Sequence, residues 1–322
     1  MIYKLVLISI LAICGSVVRA QTAKEMKLLE QLSYEKDIIY KIIDGDTLDM
    51  ILFLPKVKTG SKLPLMLYTH GGGWGGGNKY NIFRSGFYGT LKTLLDNGIA
   101  CATIEYRLTR VGKSNVHDCV TDCKDAARFL MKNAEKYSLD MNRMGVWGGS
   151  AGGHLSLMTA LGENKNFIGD KSLSKYNPQF KCIASYFPLT SFVNAENLEG
   201  SNFEKPNRFI PILGGLLSEK VKLARSLSPV ELLKVDSPSI LLLHGNKDKV
   251  LPISQSIYMK ERAKQIGANV KLLVVENAGH SFQGENISPA IDGINQIAAG
   301  FIMGNLTMEK NKIKVVKQLI TK

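Results

Sequence analysis

The 322 residues carry a formal net charge of +13, with 45% hydrophobic and 21% charged residues. A chain of this length buries roughly three quarters of its unfolded surface, and this composition excludes a disordered chain or a fibrous repeat. Apart from Lys310, Lys312, Lys314 and Lys317 the basic residues are scattered, so no nucleic-acid stripe or module is read, and the charge bears only on solubility and weak attraction to anions.

In chain order, Met1–Lys4 is a short positive start, Leu5–Ile13 an apolar run, and Val18-Arg19-Ala20 places small residues where a signal peptidase reads. This is the pattern of a secretory leader, residues 1–20, and it is too short for a membrane span. Cleavage after Ala20 is expected, giving a secreted or periplasmic protein. A lipid anchor at Cys14 wants a small residue before the cysteine, and Ile13 is not small. No later run of about 18 apolar residues predicts a stable membrane insertion.

Ile38–Ile43 and Thr47–Phe53 flank the turn sequence Asp44-Gly45-Asp46 and predict an antiparallel hairpin. Strands are then predicted at Leu63–Thr69, Ile99–Glu105, Arg143–Trp147, Cys182–Tyr186, Ser239–His244 and Val270–Val275. Between and after them lie helical stretches at Phe87–Asp96, Val116–Glu135, Ala151–Leu161, Ile253–Ile266 and Pro289–Ile302. Such alternation predicts an α/β fold, with a mostly parallel central sheet covered by helices on both faces, as a single domain over residues 21–322. Pro188–Pro238 is too long and too Asn-, Ser- and Pro-punctuated for a simple crossover, and is expected to form a small cap. Cys119 and Cys123 sit one helical turn apart, but no histidine or cysteine pair elsewhere completes a zinc site, so they read as buried apolar thiols.

The chemistry gathers at predicted strand ends. Gly148-Gly149-Ser150-Ala151-Gly152 follows a strand and opens a helix, which is the setting a nucleophilic serine on a sharp turn requires. The turn exposes the hydroxyl, and the helix N-terminus favours the anion that forms. Of the five histidines, His280 lies on the loop after the last strand, where functional groups of open α/β sheets collect. Asp248 follows the carboxyl end of the preceding strand, whereas Asp236 enters that strand from its opposite end. Ser150, Asp248 and His280 thus supply nucleophile, orienting acid and base. The glycines of His70-Gly71-Gly72-Gly73-Trp74 let backbone N–H groups approach an anion closely. Trp74, Tyr80, Phe83 and Tyr88 follow, and their rings either stack on a sugar or phenolic ring or pack in the core.

On His70–Trp74, Tyr106-Arg107-Leu108, Gly148–His154, His244–Asp248 and His280, the chain from about Ile38 to Ile302 resembles the α/β-hydrolases of the hormone-sensitive-lipase-like esterase group. On Ser237–Ser256 and Val274–His280 it is similar to the bacterial feruloyl/acetyl-xylan esterase (carbohydrate esterase) family. The resemblance implies oxyanion N–H groups from Gly72, Gly73 and Ala151, and an ion pair between Arg107 and Asp122 beneath the site. Gly149 departs from the pattern, because relatives carry Asp or Glu before the serine; with Trp74 it is a candidate for substrate contact.

The implied activity is a serine esterase working through an acyl-enzyme, with acetyl or feruloyl esters on plant polysaccharide fragments as substrates and no metal or organic cofactor. A general carboxylesterase or lipase and a serine peptidase are the alternatives within hydrolases. Peptidases of this fold normally carry a long propeller ahead of the hydrolase, for which this sequence offers no stretch. An inactive binding protein on the same fold is the alternative of another class, although such proteins usually lose the serine or the histidine. The partner expected is a small-molecule or oligosaccharide ester.

Overall fold

The computed structural model describes residues 23–56, 61–194 and 198–307. The predicted leader, Cys14 and the basic run from Lys310 lie outside the described residues. Eight strands form one sheet: β1 (Tyr34–Ile43), β2 (Asp46–Phe53), β3 (Leu63–Thr69), β4 (Ala100–Ile104), β5 (Leu139–Gly149), β6 (Cys182–Tyr186), β7 (Ser239–Gly245) and β8 (Val270–Val275). Their order is β1-β2-β4-β3-β5-β6-β7-β8. β1, β2 and β4 pair antiparallel, and every pair from β4 to β8 is parallel. This is the α/β-hydrolase architecture expected above.

The apolar runs of the central strands feed both faces at once. In β3, Leu65 and Leu67 point into one core layer, while Met66 and Tyr68 point into the other. In β7, Ile240 and Leu242 alternate with Leu241 and Leu243 in the same way. Alternate side chains of a strand face opposite ways, so a strand covered on both faces reads as a continuous apolar run. The helices Val116–Lys132, Ala151–Leu161 and Ser254–Ile266 cover the first layer, and Ser85–Asp96 with Ile291–Leu306 cover the second. Among the described residues no helix is long and apolar enough to cross a membrane.

Two strands begin several residues earlier than predicted, and β2 one residue earlier, at Asp46. β5 starts at Leu139, because polar Asp140, Asn142 and Arg143 mask its first turn of ladder; Arg143 Nε donates to Asp140 at 2.7 Å. β1 starts at Tyr34 and is bulged twice, between Glu35 and Ile38 and between Ile39 and Lys41. A bulge shifts the alternation, so Lys41 turns inward at 7% exposure while Ile42 is 72% exposed.

The buried Lys41 enlarges the ion pair expected beneath the site. Its Nζ donates to Asp122 at 2.6 Å and to Asp125 at 2.7 Å. Arg107 donates to Asp122 through Nε at 2.8 Å, and Arg128 to Asp125 at 2.8 Å. Both carboxylates are fully buried. A surface pair contributes little, but removing one partner of a buried network strands its neighbours at about 3–5 kcal/mol. Cys101, Cys119, Cys123 and Cys182 are buried free thiols.

The expected cap, Pro188–Pro238, is built from short turns and the short helices Ile210–Leu213 and Val221–Ser226. Phe203, Phe209, Ile212, Leu213, Ala224 and Leu227 join it to the core layer beneath.

Candidate active site

Ser150 stands where β5 turns into the helix Ala151–Leu161, with φ 59° and ψ −123°. A serine at positive φ is strained, and the fold holds it there by close packing. A Cβ on Gly148 would lie 2.4 Å from the Thr69 carbonyl, and one on Gly152 only 2.1 Å from it. Both positions therefore require glycine. The Ser150 N–H donates to the Tyr186 carbonyl at 2.9 Å, and Thr69 Oγ1 donates to the Gly152 carbonyl at 2.7 Å. These bonds pin the turn to its neighbouring strands.

The structure brings the predicted acid and base to this serine. His280 Nε2 lies 2.9 Å from Ser150 Oγ, and its Nδ1 lies 2.7 Å from Asp248 Oδ2. Asp248 Oδ1 accepts from the N–H groups of Val250 at 2.8 Å and Leu251 at 2.9 Å, which fixes the carboxylate after β7. The loops carrying acid and base are strapped together, with Lys247 N–H donating to the Ala278 carbonyl at 2.9 Å. Burial alone would raise the Asp248 carboxyl, but hydrogen bonds from His244 and His280 outweigh it and hold the group well below the usual carboxylate range. Asp236 is exposed on the loop that enters β7, far along the strand from this cluster.

The other histidines have different partners. His154 is fully buried, accepts from Trp74 Nε1 at 3.2 Å and donates from Nε2 to the Leu227 carbonyl at 2.8 Å. Burial pushes its ring down to about 4, so it is neutral and ties the glycine loop to the cap. His244 bridges Ser256 Oγ at 2.7 Å and the Leu251 carbonyl at 2.8 Å, bracing the Asp248 turn. His70 stacks on Tyr106 with ring centres 4.1 Å apart. His117 stacks on Phe167 and lines a separate cavity of about 600 Å³ that contains none of the three.

Gly72 and Gly73 adopt φ 126° and 61°, and among the described residues no group accepts from the N–H of Gly72, Gly73 or Ala151. Three orphan donors beside the serine are what an oxyanion needs. At Gly149, where the resemblance leads one to expect an acid, a Cβ would lie 2.5 Å from Phe87 Cζ and 3.1 Å from the Phe187 ring, so any side chain there would have to displace those rings. Trp74 is 1% exposed and packs edge-on to His154 and Phe203, so its contribution to the cavity wall is slight. Among the described residues no group of three or more His, Cys, Asp or Glu side chains is placed to hold a metal ion.

Ser150 and His280 open onto a cavity of about 310 Å³. Sequence reasoning missed several of its walls. Tyr68, Phe87 and Phe187 supply aromatic surface, and Arg84 and Arg208 supply charge. Phe187 packs on the His280 ring with centres 4.8 Å apart. Only its place just past a strand end, two residues after Ser185, hinted at this.

Comparison with known proteins places the chain in a family. Residues 48–263 match the BD-FAE family; this stretch contains Ser150 and Asp248, and His280 lies beyond it. Among curated proteins, the chain is 24% identical over 229 residues to the esterase LipQ of Mycobacterium tuberculosis, covering 71% of this chain and 52% of that protein. It is 28% identical over 261 residues to a probable isoprenylcysteine alpha-carbonyl methylesterase of rice, ICME, covering 77% and 59%. The chain thus spans about half the length of the curated relatives it matches. Among solved structures, a propionate-bound esterase of Thermogutta terrifontis superposes with TM-score 0.70 at 22% identity, covering 86% of this chain and 97% of that one. A truncated carbohydrate esterase from gut microbiota gives TM-score 0.70 at 21% identity, with coverages of 86% and 97%. At such identities the structural likeness speaks for the shared fold, and the family match for descent: the chain belongs to the BD-FAE family of α/β-hydrolases.

Proposed function

We propose that the protein is an exported carboxylic ester hydrolase that works through a covalent acyl-enzyme. What carries the reading is the continuous chain of short contacts from Ser150 through His280 to Asp248. Ser150 Oγ bonds to the ester carbonyl carbon while its proton passes to His280 Nε2. The carbonyl oxygen becomes an anion facing the N–H groups of Gly72, Gly73 and Ala151, and Asp248 stabilises the imidazolium. The bond to the alcohol then breaks, and the alcohol leaves with the proton from Nε2. Water repeats the sequence on the acyl-enzyme, releasing the acid and restoring Ser150. The names of the relatives, esterases and methylesterases, support this reaction class.

The substrate proposed is a short or phenolic acyl ester on a carbohydrate fragment. A cavity of about 310 Å³ with aromatic walls and polar mouth residues suits one ring or a short acyl chain. The cap alternates its apolar residues with Asn207, Arg208, Lys205 and Glu204, which suits a hydrated leaving group better than a lipid tail. The predicted leader supports export. Acetylated or feruloylated xylo-oligosaccharides are expected to exceed a long-chain aryl ester in kcat/KM, by at least about tenfold. A clear preference for the long chain would replace the carbohydrate reading with that of a general lipase.

A further inference from the structure

The cavity at Ser150 holds charge that ester hydrolysis does not use. Arg84 and Arg208 both line it, and among the described residues no acidic side chain does. Arg84 sits at the N-cap of the helix Ser85–Asp96, and Arg208 comes from the cap turn Pro206–Phe209. The Arg208 guanidinium carbon lies 5.4 Å from the centre of the Phe203 ring, and its Nη2 would be 3.3 Å from a Cβ on Gly73. Arg208 is thus held against the glycine loop that offers the oxyanion donors.

Most other described arginines are matched. Arg107, Arg110, Arg128, Arg143 and Arg225 each hold a carboxylate oxygen at 3.4 Å or closer. Among the described residues Arg84, Arg208 and Arg262 hold none; Arg262 donates instead to Gln265 at 3.3 Å on the outer surface, and Glu25 feels the Arg84 charge from a distance. Two unmatched guanidiniums on one concave wall leave a positive field at the place where substrate enters.

Tyr68 provides the independent observation. Its side chain is fully buried against Phe87 and Trp147, it lines the same cavity, and its hydroxyl has no partner. A buried hydroxyl left unbonded is costly, and native structures rarely carry one without a use for it. Burial pushes this hydroxyl up and the Arg84 charge draws it part of the way back, so the two lie within electrostatic reach of each other. A neutral acyl group or sugar gives no reason for this set. A carboxylate does, since it accepts from guanidinium and hydroxyl donors at once and gains from both charges.

We propose that the ester taken by this site bears a carboxylate, bound by Arg84 and Arg208 with the Tyr68 hydroxyl as a further donor. The proposal rests on the esterase reading above and adds the substrate's charge to it. The carboxylate belongs either to the acid part or to the alcohol part of the ester, and matched substrates separate the two. For the acid part, the pair is mono-para-nitrophenyl adipate and its terminal amide. For the alcohol part, it is para-carboxyphenyl acetate and para-carbamoylphenyl acetate.

In at least one pair, wild-type kcat/KM is expected to favour the carboxylate by about tenfold or more, and added salt should shrink that preference. Arg84→Gln or Arg208→Gln should lower the ratio within that pair toward one, and Arg208→Lys should retain part of it. Arg208→Glu should invert it if Arg208 is the principal contact. Equal turnover within both pairs, or a preference that neither glutamine variant alters, would overturn the assignment while leaving the esterase standing. Turnover of none of the four esters by the wild type would instead remove the esterase reading, and this proposal with it. The wild-type ratios and their salt dependence need no variant, so the test survives a substitution that fails to fold.

Discussion

Ser150→Ala is expected to lower kcat for a short aryl ester by roughly six powers of ten while the protein still unfolds cooperatively at a nearly unchanged temperature. The hydroxyl's side-chain partner is His280 Nε2 at 2.9 Å, so its loss removes the nucleophile and little packing. The turn itself is held by backbone bonds to Tyr186 and by the tight fit of Gly148 and Gly152 against Thr69, none of which uses the serine side chain. Steady-state hydrolysis of para-nitrophenyl acetate, paired with a calorimetric melt, makes the comparison. A variant retaining more than about a hundredth of the wild-type rate would assign the nucleophile elsewhere.

Asp248→Asn is expected to cost roughly three to four powers of ten in kcat/KM with the fold intact. The asparagine carbonyl can replace Oδ1, which accepts from Val250 and Leu251, so the turn survives. Its amide then faces His280 Nδ1 as a donor, where the carboxylate was an acceptor at 2.7 Å. The ring responds by moving its proton to Nε2, the atom that must accept from Ser150. Asp236→Asn should change little, because that side chain is exposed at the opposite end of β7. Should the two variants behave the other way round, Asp248 would not be the orienting acid.

These contrasts also show what was legible from residues alone. β3, β6, β8 and the helix Ala151–Leu161 match their sequence readings residue for residue, since largely apolar runs bounded by glycine, proline or polar residues mark elements locally. The elbow, Asp248 and His280 were legible for a related reason, because each follows a strand whose end was already marked. What stayed hidden depends on contacts between distant segments. Nothing local marks Lys41 as buried; the bulges of β1 turn it onto Asp122 and Asp125, more than eighty residues away. Tyr68 looks like another apolar strand position, and only the three-dimensional fold shows its hydroxyl unpartnered beside the serine. Arg84 and Arg208 lie more than a hundred residues apart and meet only through the cap. Gly149 is the reverse case: its departure from the expected pattern is plain in the sequence, and the Phe87 and Phe187 rings packed against it are not.

The central claim is that Ser150 is an activated nucleophile, and a fluorophosphonate tests it most directly. Ser150 Oγ should bond to phosphorus and expel fluoride, with His280 taking the hydroxyl proton. Peptide mass mapping of the treated, folded protein should then find one phosphonyl group, on the peptide containing Ser150, and none in Ser150→Ala or His280→Asn. Absence of any adduct on correctly folded protein would mean a binding module on a hydrolase fold, and an adduct confined to another serine would mean that the site has been misplaced.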